Sequence, residues 1–503
     1  MNTITSMAKR PYGRLPVTRI GAPCVRNEAG TTMHLAVGLQ ARQPPTCGLG
    51  ARLRIGLGEC RSSRRRPSMK SRATRFVLTV CSLITFFIST AEAGGLSLYE
   101  IATADVGLAS AGWAARAQDP ATLLKNPAGM SRLEGNQFQG GAQLLQAGVA
   151  FSPTAGTTVD GNSGGNPIGV LPALSMFYVH GLGEDFKIGL GIFSNFGLAM
   201  SYDSGWVGRY YALNNTLLGL SVMPGLSYRI NEQWSIGVAA NVMIGYLNYS
   251  AAINNRDTIL NPNAPDGNMA MNDTTVGGGG NVGLLYEPRK GTRFGVTYYS
   301  QVKLNFAATP AFTGLSGAIG TALQNRGQLN HELDLGVTVP QSVMVSSYHE
   351  FTDRWAVMLD FGWQNWSQFG KVEIGLTGTP ATISTTTSLN YQDTYHVALG
   401  NRYQINQAWL LNTGFAWDSS MIPNKNYTVS LPVGQQFRFG LGAEWQASPK
   451  LNVAFSYELA YGGDLSVNQN RGPLAGAVAG QFPTSYVNFF QVSFIWGERK
   501  LAA

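Results

Sequence analysis

The sequence predicts an all-β fold, a transmembrane antiparallel β-barrel of 14 strands with an N-terminal hatch inside the barrel. Three observations lead to this prediction: a composition rich in glycine and aromatic residues, long segments that are apolar at every second position, and a regular exchange of short turns and long loops. Of the 503 residues, 44% are hydrophobic and only 13% are charged, whereas charged residues make up about a quarter of an average soluble protein. The 61 glycines disfavour a helical bundle, because each glycine costs a helix about 1 kcal/mol.

The first 93 residues differ in charge and cysteine content from the rest of the chain. They carry 15 Lys and Arg against three Glu, an excess larger than the formal net charge of +8, so the remainder is slightly acidic. We therefore expect no nucleic-acid partner. All four cysteines precede residue 94 as well, which excludes disulfides and cysteine-based sites from the remainder. We expect no metal and no cofactor, and no enzymatic activity.

Residues 69–93 have the order of a secretory signal peptide. Basic residues precede an apolar run over 76–88, and small residues follow up to Ala93. As a helix this run would span only about 20 Å, which is too short to cross a membrane. We expect cleavage before Gly94, with an uncleaved anchor as the alternative. We interpret residues 1–68 as an upstream extension outside the native protein or as a disordered leader.

Alternation of apolar and polar residues begins near residue 137 and has the length of a membrane-spanning strand. In 409–417 one face carries Trp409, Leu411, Thr413, Phe415 and Trp417. Eight steps of about 3.4 Å, tilted by about 40°, rise about 21 Å, close to the roughly 25 Å apolar band of outer-membrane barrels. Aromatic residues at both ends of such a strand are typical of the two membrane interfaces.

Turns and loops alternate strictly along this part of the chain. Six short polar turns lie at 183–185, 231–232, 287–290, 352–354, 406–407 and 448–450. Seven long loops lie near 152–169, 198–215, 250–274, 308–332, 370–388, 420–433 and 463–484. Together they join 14 strands over residues 136–497, with residues 498–503 as a short tail. An even strand number with short periplasmic turns is typical of bacterial barrels.

Residues 94–135 have no strand pattern. Alanine, glycine and aspartate dominate this segment, which indicates short helical or irregular pieces. Because about eight strands already enclose the space that side chains can fill, a barrel of 14 strands has room for a plug. We therefore predict that residues 94–135 fold into the barrel as a hatch.

Several motifs of the chain, taken in order, resemble the FadL/TodX-type outer-membrane transporters of long-chain fatty acids and other hydrophobic compounds. The motifs are Asn126-Pro127-Ala128, Ser194-Asn195-Phe196-Gly197-Leu198, Val302-Lys303-Leu304-Asn305-Phe306, Trp366 and Ser367 with Phe369, and Gly414 to Ser420. The resemblance implies a monomeric barrel in the outer membrane of a Gram-negative bacterium. It further implies capture of a hydrophobic ligand among the extracellular loops, passage past the hatch, and lateral exit through the wall near the third strand.

The resemblance leaves the ligand open. A long-chain fatty acid, an alkane and an aromatic hydrocarbon are all compatible with it, and a general diffusion porin or a surface adhesin is the alternative from another class. Outer-membrane lipid, lipopolysaccharide and the barrel-assembly machinery are the other expected partners. Family members normally end on a phenylalanine, whereas here residues 498–503 follow the last aromatic residue.

Candidate ligand residues fall into a polar and an apolar set. If the pleat continues regularly, Lys303, Arg402 and His396 point into the lumen, where Lys303 or Arg402 could accept a carboxylate by a charge-assisted hydrogen bond. The alternative is that such lumen charges pair with one another and anchor the hatch. The resemblance also implies a basic residue near the inner ligand pocket, and Lys371 stands near that position. The apolar set, expected to line an entrance groove or simply to pack the loops, is Phe306, Phe312 and Leu315, with Ile259, Leu260 and Met269.

Two short motifs carry structural predictions. Asn126-Pro127-Ala128 predicts a rigid turn, because proline fixes φ and asparagine can bond its own backbone; a movable hatch hinge is the alternative. In Ser194-Asn195-Phe196-Gly197, serine and glycine interrupt an apolar outward row at membrane depth. Such a break is tolerated where the wall bends inward, so this motif is the predicted lateral opening, with an ordinary bulge as the alternative.

Overall fold

A computed structural model describes residues 94–256, 263–325, 329–377, 383–423 and 427–497. The expected signal peptide, the residues upstream of it and the tail 498–503 lie outside this part. Within it, strands dominate and the helices are short. None of these helices is long and apolar enough to cross a membrane.

The strands close into an antiparallel barrel of 14 strands, as predicted. In chain order the described strands are β1 (Gly94–Ser97), β2 (Gln137–Gly148), β3 (Ser152–Pro153), β4 (Val170–Gly181), β5 (Phe186–Ser201), β6 (Asn214–Arg229), β7 (Trp234–Ile253), β8 (Gly267–Arg289), β9 (Thr292–Tyr299), β10 (Val302–Ala308), β11 (Ala311–Thr313), β12 (Glu332–Val339), β13 (Ser342–Thr352), β14 (Trp355–Gln364), β15 (Lys371–Thr377), β16 (Ile383–Ser388), β17 (Thr394–Gln404), β18 (Trp409–Asp418), β19 (Gln436–Ser448), β20 (Leu451–Asn470) and β21 (Ala477–Gly497). The barrel consists of β2, β4 to β9, β13, β14 and β17 to β21. Pairing of β2 with β21 closes it.

Side chains alternate between the two faces of each barrel strand. In β17, Tyr395, Val397 and Leu399 are exposed, whereas His396 and Arg402 between and beyond them are buried. Because the exposed set is apolar and the buried set is polar, the outside of the barrel suits hydrocarbon and the inside suits a hydrogen-bonded filling.

A second sheet lies at the long-loop end. It has four strands in the order β10, β12, β15, β16, all antiparallel. β10 continues the chain of β9 after a break at Ser300 and Gln301, and β12 precedes β13 with a break at Pro340 and Gln341. The seventh and eighth barrel strands therefore both leave the wall at these breaks.

The N-terminal segment, residues 94–135, packs against inward-facing positions of the barrel strands. After β1 it contains the 3-10 helix Ala104–Leu108, the α-helix Thr122–Lys125 and the 3-10 helix Pro127–Arg132. A Cβ atom added to Gly295 would lie 1.9 Å from the Ala114 carbonyl oxygen. Glycine in the barrel strands therefore allows the segment to touch the wall backbone to backbone.

Candidate functional site

A charged cluster joins the N-terminal segment to the wall. The Arg438 guanidinium pairs with Glu100 of the segment and, at 2.7 Å, with Asp418 of β18. Glu458 of β20 lies 3.8 Å from Arg438, and the His396 ring nitrogen Nδ1 lies 2.7 Å from Asp418. His396 is thus part of this cluster, and its ring also lies 4.5 Å from that of Tyr99. The arrangement supports an anchoring role for His396 rather than ligand binding.

Arg402 belongs to a second buried pair. Its side chain is fully buried, and its Nη2 donates to Glu444 at 2.8 Å. Asn412 accepts from its Nε at 3.1 Å. Because a carboxylate already occupies this guanidinium, the geometry supports a structural pair rather than the fatty-acid site proposed from the sequence.

The segment is also held by hydrogen bonds to its backbone. Asp360 of β14 accepts from the amides of Gly112 and Trp113 at 3.1 and 2.9 Å. The side chain of Asn281 donates to the Leu124 carbonyl at 2.7 Å. Within the segment, Asp105 binds both Arg116 and Lys125, which neutralises these buried charges internally.

The Asn126-Pro127-Ala128 motif forms a capped turn. The Asn126 side-chain oxygen accepts from the Ala128 amide at 3.1 Å, and its Nδ2 donates to the carbonyls of Ala114 and Leu284 at 2.7 and 3.1 Å. A Cβ atom on Gly283 would lie 1.9 Å from the Asn126 Oδ1. The Asn126 side chain therefore links its own turn to Ala114 of the segment and to Leu284 of β8. These bonds favour a rigid turn.

β5, the third barrel strand, changes neighbours at the predicted opening. Its pairing with β4 ends at Phe193 opposite Ser175, and its pairing with β6 is shifted by a bulge at Asn195 between Ser194 and Phe196. Beyond this point β1 takes the place of β4 as the hydrogen-bonded neighbour of β5. β5 thus departs from β4 at the interrupted motif.

The remaining residues of the motif are well packed. Ser194 Oγ donates to the Gly219 carbonyl at 2.9 Å. Phe196 is buried with its ring 6.2 Å from that of Phe369, and a Cβ atom on Gly197 would lie 2.9 Å from the Leu217 carbonyl oxygen. The break in the wall is therefore filled by side chains and by the β1 backbone.

Lys303 lies on the exposed face of β10 and is not among the residues that line the inner cavity. In β9 the odd-numbered residues face inward, but in β10 the even-numbered residues are buried and Lys303 is exposed. The break at Ser300 and Gln301 causes this change, because a shift of one residue reverses the faces of a strand. Lys371, at the start of β15, is exposed as well.

Phe306 does not line a groove facing water. It is 1% exposed and packs in the core beside Leu304. A Cβ atom on Gly245 of β7 would lie 3.1 Å from its ring. The regular alternation of β10, which turns Phe306 to its buried face, accounts for this difference from the prediction.

The outer groove, a cavity of about 410 Å³, lies among the long loops. Phe312 and Met269, two of the candidates from the sequence, line it, and His331 borders it. Leu315 is half-buried between β11 and the helix Gly317–Asn325, which contributes Ile319 and Leu323 to the groove. The candidates Ile259 and Leu260 lie outside the described residues.

The inner cavity, about 90 Å³, lies where the segment meets β5 and the breaks of the seventh and eighth strands. Its described lining is uncharged: apolar and aromatic side chains surround a few amides and hydroxyls. The lining includes Tyr99, Trp113, Phe193, Phe196, Asn241 and Met243. Sequence reasoning missed Tyr99, Trp113 and Asn241, because residues so far apart in the chain meet only through the closure of the barrel.

The profile of the family described as outer membrane protein transport protein (OMPP1/FadL/TodX) matches residues 84–489. This chain belongs to that family. The long-chain fatty acid transport protein of Escherichia coli K12 is 26% identical over 431 residues, which cover 79% of this chain and 95% of that protein. Outer membrane protein P1 of Haemophilus influenzae is 24% identical over 404 residues, 73% of this chain and 86% of that protein.

Solved structures of FadL/TodX proteins share the fold. A FadL homologue from Pseudomonas aeruginosa has a TM-score of 0.70 at 19% identity, covering 80% of this chain and 99% of that chain. The toluene transporter TodX of Pseudomonas putida has a TM-score of 0.57 at 18% identity, covering 81% of this chain and 100% of that chain. Like its FadL/TodX relatives, this protein is an outer-membrane transporter of Gram-negative bacteria, as the resemblance implied.

In this FadL/TodX chain the carboxylate of Asp393 binds the chain at and just before the motif Trp366-Ser367-Gln368-Phe369. Asp393 accepts from the Trp363 indole at 3.1 Å, from the Asn365 side chain at 2.9 Å and from the Ser367 amide at 3.1 Å. Burial alone would raise the pKa of Asp393, but these hydrogen bonds to its charged form outweigh burial and lower it. The ionised carboxylate therefore fixes the chain between β14 and β15.

Proposed function

We propose that this protein takes up long-chain fatty acids or similar hydrophobic molecules, with capture in the outer groove, passage past the N-terminal segment acting as a hatch, and lateral exit beside β5. Support for capture comes from the apolar lining of the groove, which Phe312 and Met269 share with the helix Gly317–Asn325. Exposed apolar concavities of this kind are typical of ligand-binding surfaces.

The observation that carries the proposed route is the separation of β5 from β4 next to the inner cavity. Phe193 and Asn195, on either side of the point where pairing with β4 ends, both line that cavity. A hydrophobic molecule that displaced the side chains and the β1 backbone filling this break would reach the bilayer without crossing the polar periplasmic end. The curated relative from Escherichia coli, which is named for long-chain fatty acids, supports this substrate class.

The proposal includes a single-chain, monomeric channel without catalytic function. Closure of the barrel by β2 and β21 of the same chain supports a barrel formed by one chain. Contacts with lipopolysaccharide and with the barrel-assembly machinery follow from residence in the outer membrane.

A crosslink across the separation tests the route. All four cysteines of the chain precede residue 94, so the pair Ala173→Cys and Asn195→Cys can be joined with a bismaleimide in the mature protein. We expect the crosslinked protein to lose oleate uptake. The matched control, Tyr178→Cys with Leu190→Cys, joins residues that are already paired on the outer face and should leave uptake unchanged. Undiminished uptake in the Ala173 and Asn195 pair after complete crosslinking contradicts the lateral route.

Growth of a deletion strain tests the substrate class. Oleate, alkanes and aromatic hydrocarbons are supplied in turn as sole carbon sources. We expect a defect on at least one hydrophobic source that the gene restores, and no defect on small hydrophilic solutes. The opposite pattern would favour a general diffusion porin.

A further inference from the structure

The β5–β6 segment, residues 202–213, is buried although it connects two strands at the long-loop end. Its Tyr202, Trp206 and Tyr211 side chains are only 6%, 0% and 1% exposed. The rings of Tyr202 and Trp206 stack with their centroids 3.7 Å apart, and the Trp206 indole donates to the Ala212 carbonyl at 2.9 Å. The segment therefore forms a compact apolar unit inside the protein.

This unit belongs to the apolar cluster that reaches from the outer groove to the inner cavity. Tyr210 of the cluster lines the groove, whereas Phe196 and Met243 of the same cluster line the inner cavity. A molecule passing from the groove to the cavity along this path would have to displace part of the cluster. Ladder hydrogen bonds hold Phe196 and Met243 in β5 and β7, but the β5–β6 segment is not part of a strand. It can therefore move at a lower cost than they can.

Arg209 holds the β5–β6 segment in place. Its Nε donates to Asp266 at 2.7 Å, its Nη1 to the Asp160 carbonyl at 2.7 Å, and its Nη2 to the Tyr210 hydroxyl at 3.0 Å. The Tyr210 hydroxyl in turn donates to Asp266 at 2.7 Å. Because Arg209 is buried and bonds to an ionised group are the strong ones, these contacts form a latch, defined here as Arg209, Tyr210 and Asp266.

The outer groove is in direct contact with the latch and with the rest of the segment. Tyr210 belongs both to the latch and to the lining of the groove. Leu474 and Ala475 line the groove as well, and the loop that carries them is bonded to the segment through the Tyr211 hydroxyl, which donates to the Gly476 carbonyl at 2.6 Å. A molecule that enters the groove therefore touches residues attached to the segment.

We propose that the β5–β6 segment is an outer gate between the groove and the inner cavity, and that a hydrophobic molecule in the groove opens it by separating Tyr210 from Arg209 and Asp266. This inference rests on the proposed uptake function and adds its regulation. A ligand that binds the groove more tightly when Tyr210 has left the latch shifts the gate toward its open state.

A single introduced thiol reports the position of the gate. All four native cysteines precede residue 94, and Ala212→Cys lies at a fully buried position of the segment. Labelling by a membrane-impermeant maleimide is followed in outer-membrane vesicles with and without oleate. We expect oleate to speed the labelling about tenfold or more, because a buried thiol reacts in proportion to the population of the open state.

Two further thiols control this measurement. Ala416→Cys is equally buried, in a cluster with Leu108 of the N-terminal segment, and its labelling should not respond to oleate. Val207→Cys, 4% exposed in the β5–β6 segment, should respond as Ala212→Cys does, and it replaces that reporter if Ala212→Cys prevents assembly of the barrel.

Substitutions separate the latch from the groove. Asp266→Asn should speed the labelling of the Ala212→Cys protein without oleate about tenfold, since a hydrogen bond to a charged group contributes at least this factor. The matched control, Asp203→Asn, changes an exposed carboxylate of the same segment and should have no effect. Phe312→Ser, in the groove but outside the latch, should raise the oleate concentration for half-maximal acceleration about fivefold.

Three outcomes would overturn the inference: fast labelling of Ala212→Cys without oleate, oleate uptake without faster labelling, or equal labelling rates in Asp266→Asn and Asp203→Asn. The proposed uptake function fails separately, when the deletion strain grows normally on every hydrophobic source. A protein that takes up oleate at a constant labelling rate would thus keep the uptake function and lack the gate.

Discussion

The N-terminal segment and the outer groove belong to the same barrel, but different interactions form them. The segment is joined to the wall by the buried ion pair of Glu100 with Arg438 and by hydrogen bonds between its backbone and the side chains of Asp360 and Asn281. The groove is lined almost entirely by apolar side chains such as Phe312 and Met269. Directional bonds in a water-excluded interior fix one position, whereas apolar contacts without direction tolerate ligands of different shape.

This contrast explains how one barrel can hold its N-terminal segment in a fixed position and still accept ligands of different shape in the outer groove. Contact with any apolar surface lowers the free energy of a hydrophobic molecule in water. The groove therefore needs no particular geometry. In the interior, by comparison, geometry matters, because leaving a buried charge without its partner costs several kcal/mol. Three substitutions test this contrast, in order of decreasing expected effect.

The largest effect is expected for Arg438→Leu. It leaves Glu100, Asp418 and Glu458 buried together without their guanidinium, and removing one partner of a buried ion pair costs about 3–5 kcal/mol. We expect a lower free energy of unfolding in denaturant and protease cleavage within the N-terminal segment. The control Arg229→Leu breaks a partly exposed pair with Asp185 and should cost less than about 1 kcal/mol. Equal losses in both variants would contradict the anchoring role of the cluster.

An intermediate effect is expected for Phe312→Ser in the outer groove. Removing part of a half-buried aromatic surface should raise the KM of uptake about fivefold, since full burial of such a side chain contributes about 1.5–3 kcal/mol. The maximal rate should not change, because the interior is untouched. Leu389→Ser, at an exposed position after β16, is the control. A fall in maximal rate with constant KM would argue against capture in this groove.

The smallest effect is expected from Asp393, outside the membrane-spanning strands. Its pKa is lower in the folded protein than the usual 3.8, so its stabilising contribution is complete above that value and is lost as the pH falls through the folded pKa. Tryptophan fluorescence from the neighbouring Trp363 should therefore change below about pH 3.8. Asp393→Asn should remove this transition. A transition of unchanged size in the variant would assign it to another group.

The sequence was sufficient for the fold but less so for the site. The alternation in segments such as 409–417 depends on one strand and its two environments, and the turn lengths count the strands directly. The pairing of the charges in the lumen depends on the register between strands around the closed barrel. The sequence of a single strand does not contain this information. Lys303 shows the limit most clearly, because the break at Ser300 and Gln301 reverses the pleat that had been extrapolated through it.

The glycines that face the N-terminal segment also constrain how such proteins can be recombined. Gly295 and Gly414 each leave room for a backbone atom of the segment that a Cβ would approach to 1.9 Å. An N-terminal segment taken from a relative would fit here only if its backbone approached the barrel wall at the same glycine positions. Chimaeras between family members should therefore need matched exchange of the segment and of its facing glycines, so the two parts are expected to diverge in evolution as one unit.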